Sequence, residues 1–112
     1  MQELVRQTGA ELAIFCDYEG ESIALAGPGI DPYDVRVIGA QHAAHVLAVQ
    51  RAARQVGESE RVSITCVADH RVVLVEAMPG GYYVLVAIAP ERLWQRARPL
   101  LAAVADRFAA EI

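Results

Sequence analysis

The most constraining feature of this sequence is the segment from Tyr33 to Val56, which carries apolar residues on two opposite sides of a helix. With Val35 at zero and about 100° per residue, two stripes separate. The first stripe consists of Val35, Ile38, Gly39, His42, Val46, Val49, Ala53 and Val56. The second stripe, made mostly of small residues, consists of Val37, Ala40, Ala44, Leu47 and Ala48. Arg36, Gln50 and Arg54 fall in a gap between the stripes.

A helix that is apolar on two sides is buried on two sides. We expect 112 residues to form one domain, residues 1–112, with a single core that covers the first stripe. The second stripe therefore predicts contact with another copy of the same helix. This pattern favours a homodimeric binding module over an enzyme.

Composition excludes several classes of function. The net charge of −4 argues against a nucleic-acid partner, which needs a basic face. All ten basic residues are arginine, which excludes a Walker A phosphate loop, a Schiff-base enzyme and a kinase. No apolar run is long enough for a membrane span, and the N-terminus lacks the apolar core of a signal peptide. We therefore expect a cytoplasmic protein in which Cys16 and Cys66 are buried thiols.

The rest of the chain predicts an α+β fold of order (α)-β-β-α-β-β-β-α. Asp31 before Pro32 is a typical N-cap for the long helix, and Gly57 is its expected end. The short connections after this helix predict an antiparallel meander. The predicted elements are a helix over Met1–Gln7, strands over Glu11–Tyr18 and Ser22–Ala26, a link over Gly27–Pro32, strands over Arg61–Ala68, Arg71–Met78 and Tyr82–Ile88, and a closing helix over Pro90–Ile112 that is interrupted at Pro99. We expect a five-stranded antiparallel sheet between the long helix and the two terminal helices, which is a three-layer α-β-α sandwich.

This order resembles the Roadblock/LC7 family, and local patterns agree with it. A strand leads into the turn Asp17-Tyr18-Glu19-Gly20 and then Ile23-Ala24, followed by a glycine-rich link and an alanine-rich helix that ends at Gly57. Gly80-Gly81 precedes Tyr82 in the meander. The resemblance covers roughly residues 10–112 and rests on order and spacing together.

The resemblance implies a profilin-like domain that dimerises through its central helix and third strand, so that two sheets join into one. It implies a regulator or scaffold of Ras-like small GTPases, as in the bacterial MglB-like group, with no catalytic residues and no cofactor of its own. Carried onto this chain, the dimer interface consists of Val37, Ala40, Ala44, Leu47 and Ala48, with Val62, Ile64 and Cys66 near the pairing edge.

Other candidate residues have simpler explanations. His42 and His45 have a spacing that can bind a metal, but we expect His42 to be a hydrogen-bonded core or rim residue. Asp17, Glu19 and Glu21 are too few for a calcium loop, so a solvated turn is expected. We expect Glu76, on the face of Leu74 and Met78, to reach water near a strand end.

Two further hypotheses concern function. Arg51, Arg54 and Arg61 indicate a basic rim around Gly57. A role for one of them as an arginine finger on a GTPase in trans is disfavoured, because the resemblance implies positioning of the partner rather than donation of an arginine. The alternative to a dimeric regulator is a small-ligand sensor of PAS/GAF-like type. That function needs an apolar cavity between the sheet and the long helix.

Overall fold

The computed structural model describes residues 1–27 and 31–111, apart from the side chains of Pro32 and Val35. Its element order confirms the predicted α-β-β-α-β-β-β-α arrangement. The elements are α1 (Gln2–Thr8), β1 (Leu12–Cys16), β2 (Ser22–Ala26), α2 (Pro32–Gln55), β3 (Val62–Val67), β4 (Val72–Ala77), β5 (Tyr83–Ile88) and α3 (Ala97–Ala109), with short 3-10 turns at Pro79–Gly81 and Trp94–Arg96. The middle of the predicted link (residues 28–30), the Val35 side chain and Ile112 lie outside the described residues.

The five strands form one antiparallel sheet in the order β2-β1-β5-β4-β3. The central pair is β1 with β5, where Ile14 lies opposite Leu85. The β3-β4-β5 meander is confirmed, since each strand pairs with the next. Strands β2 and β3 are the two edges of the sheet.

Helices cover the two faces of the sheet as predicted. Alternation along the strands sends one set of side chains toward α2 and the other toward α1 and α3. The core under α2 includes Ile14, Tyr83 and Leu85, and the core on the other face includes Phe15 and Leu101. Among the described residues, no helix is both long and apolar enough to cross a bilayer.

The closing helix differs from its predicted bounds. It begins at Ala97 rather than Pro90, and Leu93, predicted to lie on its apolar face, is 65% exposed. Pro99 therefore lies in the first turn of α3, where a backbone N–H has no partner within the helix. The predicted interruption at Pro99 thus lies two residues after the observed start of the helix.

Two glycines bring α2 against the sheet. Gly20, in the β1–β2 turn with φ at 83°, meets Gly39 of α2 so closely that a Cβ on either residue would overlap the other's backbone. The buried Tyr83 hydroxyl donates a hydrogen bond of 2.6 Å to the Gly39 carbonyl. Asp31 caps the start of α2 by accepting from the Tyr33 N–H, which confirms the predicted N-cap. These contacts determine which side of α2 faces the sheet.

We expect Gly39→Ala to lower the free energy of unfolding by about 2 kcal/mol in urea denaturation. Overpacking costs up to about 3 kcal/mol, and the better helix propensity of alanine offsets about 1 kcal/mol of that. The control Ala52→Gly, at an exposed site of the same helix, measures the propensity contribution alone. A Gly39→Ala protein more stable than wild type would show that the contact has room for a methyl group.

Candidate functional site

The second stripe lies on the outward surface of α2. Val37 is 36% exposed and Leu47 is 41% exposed, and Ala40, Ala44 and Ala48 are exposed as well. These five residues form a mostly small, apolar surface that the described part of the chain leaves exposed. Coverage of this surface by a second copy stays a prediction.

The sheet-facing side of α2 differs from the first stripe at three residues, of which Ala43 belongs to neither stripe and is buried in the core under α2. Gln50, predicted to lie in the gap beside Arg36 and Arg54, is 1% exposed, and its Nε2 donates to the carbonyls of Glu60 (2.8 Å) and Met78 (2.9 Å). Val56 is exposed because the helix ends at Gln55. An amide can be buried at little cost when nearby loop carbonyls accept its hydrogen bonds. The hydrophobic pattern of the sequence therefore did not predict the burial of Gln50.

Among the described strands, β3 pairs only with β4, so its other edge is open. The Ala68 N–H donates to the Arg71 carbonyl, and hydrogen-bonded pairs alternate along an antiparallel ladder. Strand β3 therefore exchanges backbone hydrogen bonds with β4 through Val62, Ile64 and Cys66, opposite Ala77, Val75 and Val73. The backbone N–H and C=O groups of Ser63, Thr65 and Val67 point away from the sheet.

The three β3 residues predicted near the dimer edge lie on the α2 face of this strand. Val62, Ile64 and Cys66 are half-buried, and the first two pack against the core under α2. On the exposed helix surface, Leu47 lies beside Gly81, in the turn between β4 and β5. Both cysteines are free thiols, and Cys66 is only half-buried, whereas we predicted a buried residue.

Glu76 is buried rather than solvated, so that prediction is wrong. Its side chain lies on β4 at 4% exposure and receives hydrogen bonds from two arginines and one hydroxyl. Arg61 Nε lies 3.2 Å from Oε2, Arg98 Nη1 lies 3.0 Å from Oε1, and the Ser63 hydroxyl donates to Oε1. A buried carboxylate needs such partners, because it loses its hydration.

The same arrangement places Arg61 away from the predicted basic rim. Its Nη1 donates to Asp106 Oδ1 at 2.6 Å and its Nη2 to the Ala102 carbonyl at 3.1 Å, both on α3. Arg54 instead pairs with Glu60. Arg51, Arg54 and Arg61 therefore do not converge on one surface.

A half-open cleft lies between α2 and the strand ends. Its volume is about 340 Å³, and Leu12, Ile38, Val73, Leu85 and Ala87 form its apolar floor. Charged residues line the rim: Glu11, Asp31, Asp34 and Arg71.

His42 lines this cleft, and burial lowers the pKa of its imidazole, with a smaller contribution from His45. The acidic hairpin is a self-bonded turn, since Asp17 Oδ1 accepts from the N–H groups of Glu19 (2.9 Å) and Glu21 (3.0 Å). Across the described ranges, no three metal-type ligands gather at one point.

The fold and its exposed helix-and-edge surface define a Roadblock/LC7 fold. A Roadblock/LC7 domain from Streptomyces avermitilis matches with a TM-score of 0.82 at 16% identity, covering 96% of this chain and 89% of that one. No family model matches the sequence, and no curated protein matches it.

The fold is also that of MglB. Myxococcus xanthus MglB matches with a TM-score of 0.83 at 17% identity, over 96% of this chain and 87% of that one. An MglB structure with a tetrameric arrangement matches with a TM-score of 0.79 at 18% identity, over 98% and 82%. Identities this low establish a shared fold, and they confirm the resemblance drawn from the sequence at that level.

Proposed function

We propose that this chain is a non-enzymatic homodimeric regulator or scaffold that acts on a Ras-like small GTPase. Two observations support dimerisation: an exposed apolar surface on α2, and an edge strand, β3, that pairs with β4 alone among the described strands. The GTPase partner rests on the resemblance to the bacterial MglB-like group and on the fold shared with MglB.

The second stripe has the geometry of a helix-pairing surface. Val37, Ala40, Ala44 and Leu47 follow one another at steps of three, four and three residues, the spacing that keeps one seam facing a partner helix. Small side chains at the centre allow two backbones to approach closely. An isologous contact, in which the same surface meets itself about a twofold axis, satisfies both copies at once.

The β3 edge supports the same symmetric arrangement. Three residues with outward backbone groups can pair with the equivalent three of a second copy, which removes an exposed edge that otherwise favours aggregation. In the proposed dimer, one twofold axis serves both the helix contact and the strand contact. The two sheets then continue into one another beneath a pair of α2 helices.

A dimer of this kind acts by binding. Its surface favours one arrangement of the partner's switch loops, and any change in the GTPase cycle follows from that bias. This chain contributes no catalytic group in the proposed mechanism.

Ala44→Glu is expected to convert the dimer into a folded monomer. A carboxylate placed in an apolar seam loses hydration without gaining a partner, which weakens association by at least about 100-fold. Size-exclusion chromatography with light scattering measures the change, and circular dichroism checks the fold. Ala52→Glu, which adds the same charge about 80° around the helix, is the matched control. An Ala44→Glu protein that stays dimeric would rule out this surface as the interface.

Partner binding is tested by calorimetry with each Ras-like GTPase of the same genome, loaded with GDP or with a non-hydrolysable GTP analogue. We expect one of them to bind, with an affinity that differs between its two nucleotide states, since regulation requires such a difference. If none of the GTPases binds in either nucleotide state while the protein is dimeric, the proposed GTPase partner is wrong. That result does not contradict the proposed homodimer.

The cleft beside α2 favours a second candidate function, the small-ligand sensor. Its volume falls in the range of small-molecule sites, and its apolar floor meets the requirement for a cavity between helix and sheet. The rim carries three carboxylates against one arginine, so the matching ligand is a small amphipathic amine.

A thermal-shift screen of aliphatic and aromatic amines tests this second function. A ligand at 100 times its dissociation constant stabilises the folded protein by about 2.7 kcal/mol, which raises the unfolding temperature by several degrees. The shift should disappear in Ala87→Phe, which fills the cleft floor. If no amine shifts the wild-type protein, the sensor function is excluded for this ligand class.

A further inference from the structure

The sheet face under α3 changes character at its β3 edge. Its centre is apolar, but β3 presents Ser63, Thr65 and Val67 on this face, all of them exposed. Apolar packing against α3 therefore contributes little to holding β3 in place on this face of the sheet. Polar contacts from Arg98 and Arg61 reach it instead.

Arg98 joins the edge strand β3 to its neighbour β4 through one guanidinium group. Its Nη2 donates to the Ile64 carbonyl at 2.7 Å and also to the Thr65 hydroxyl, both on β3. Its Nη1 donates to the Val75 carbonyl and to Glu76 Oε1, each at 3.0 Å, on β4. Ile64 and Val75 face each other in the ladder, so Arg98 spans the strand pair from the first turn of α3.

Arg61 makes the second connection, just before the start of β3. It binds the other oxygen of Glu76 and reaches Asp106 and the Ala102 carbonyl on α3. Glu76 is thus shared by both arginines in a site with little access to water. If one partner is removed, the remaining buried charges are poorly compensated. The stability of each contact in this network therefore depends on the others.

We propose that Arg98 is a positioning residue for the dimerisation edge, acting through Ile64, Thr65 and Glu76. It holds β3 in the geometry in which its outward backbone groups pair with a second copy. A strand that is ordered before pairing loses less conformational freedom on association, so dimer affinity depends on α3 as well as on the interface. The inference rests on the proposed homodimer and explains how its edge is set.

The test compares Arg98→Met with Arg71→Met in sedimentation equilibrium at several concentrations. Arg71 is the matched control, because it also reaches a carboxylate from beside β4, but its pair with Glu11 is exposed. We expect Arg98→Met to weaken dimerisation at least about tenfold, and Arg71→Met to change it less than about twofold. Circular dichroism checks that each variant is folded.

A merely structural role for Arg98 would lower the unfolding temperature and leave the dissociation constant, measured well below that temperature, unchanged. That result overturns the inference. Should Arg98→Met fail to fold, Arg98→Lys replaces it, since an ammonium group keeps the charge but cannot span both strands with a planar fork. Wild-type affinity in Arg98→Lys likewise overturns the inference. A monomeric wild type at every concentration overturns the homodimer itself, which separates the two failures.

Discussion

The backbone contact between Gly20 and Gly39 is the constraint on which the rest of the structure depends. A helix of 24 residues lying on a sheet can rotate about its axis, and this contact, with the Tyr83 hydrogen bond, sets the rotation. Ala43, Val46 and Gln50 are then turned toward the sheet and buried. The small residues on the far side are turned outward and exposed. The candidate interface is therefore a consequence of how α2 is seated.

The chain uses two different means to hold the two faces of its sheet. Beneath α2 and across the centre of the other face, apolar side chains pack in the ordinary way. At the β3 edge, arginines perform this role through hydrogen bonds to backbone carbonyls and to Glu76. A lysine could not replace Arg98, because one guanidinium binds four acceptors on two strands at once. At this position arginine therefore has a structural role.

Much of the fold was predictable because it depends on local periodicity and turn residues. Alternation located all five strands within one or two residues, and Asp31 with Pro32 marked the start of α2. The second stripe could be recognised in the sequence because residues on one side of a helix keep helical spacing whether or not a partner covers them. The burial of Gln50 and Glu76 was not predictable, since their partners lie 10 to 28 residues away and only the folded chain brings them together. The late start of α3 was not predicted, because Leu93 fits the helical spacing of the apolar residues after Pro99. The proline nevertheless prevents the helix from extending back to Leu93.

The most direct test of the account is amide hydrogen exchange at Ser63, Thr65 and Val67 as a function of protein concentration. In a single chain the N–H groups of these residues face solvent, whereas Ile64 and Cys66 are bonded to β4. Pairing of two β3 edges should slow exchange at all three amides as concentration rises, and the neighbouring ladder amides should change little. Fast exchange at all three residues, at every concentration where the protein is folded, would contradict the proposal that a second copy covers this edge.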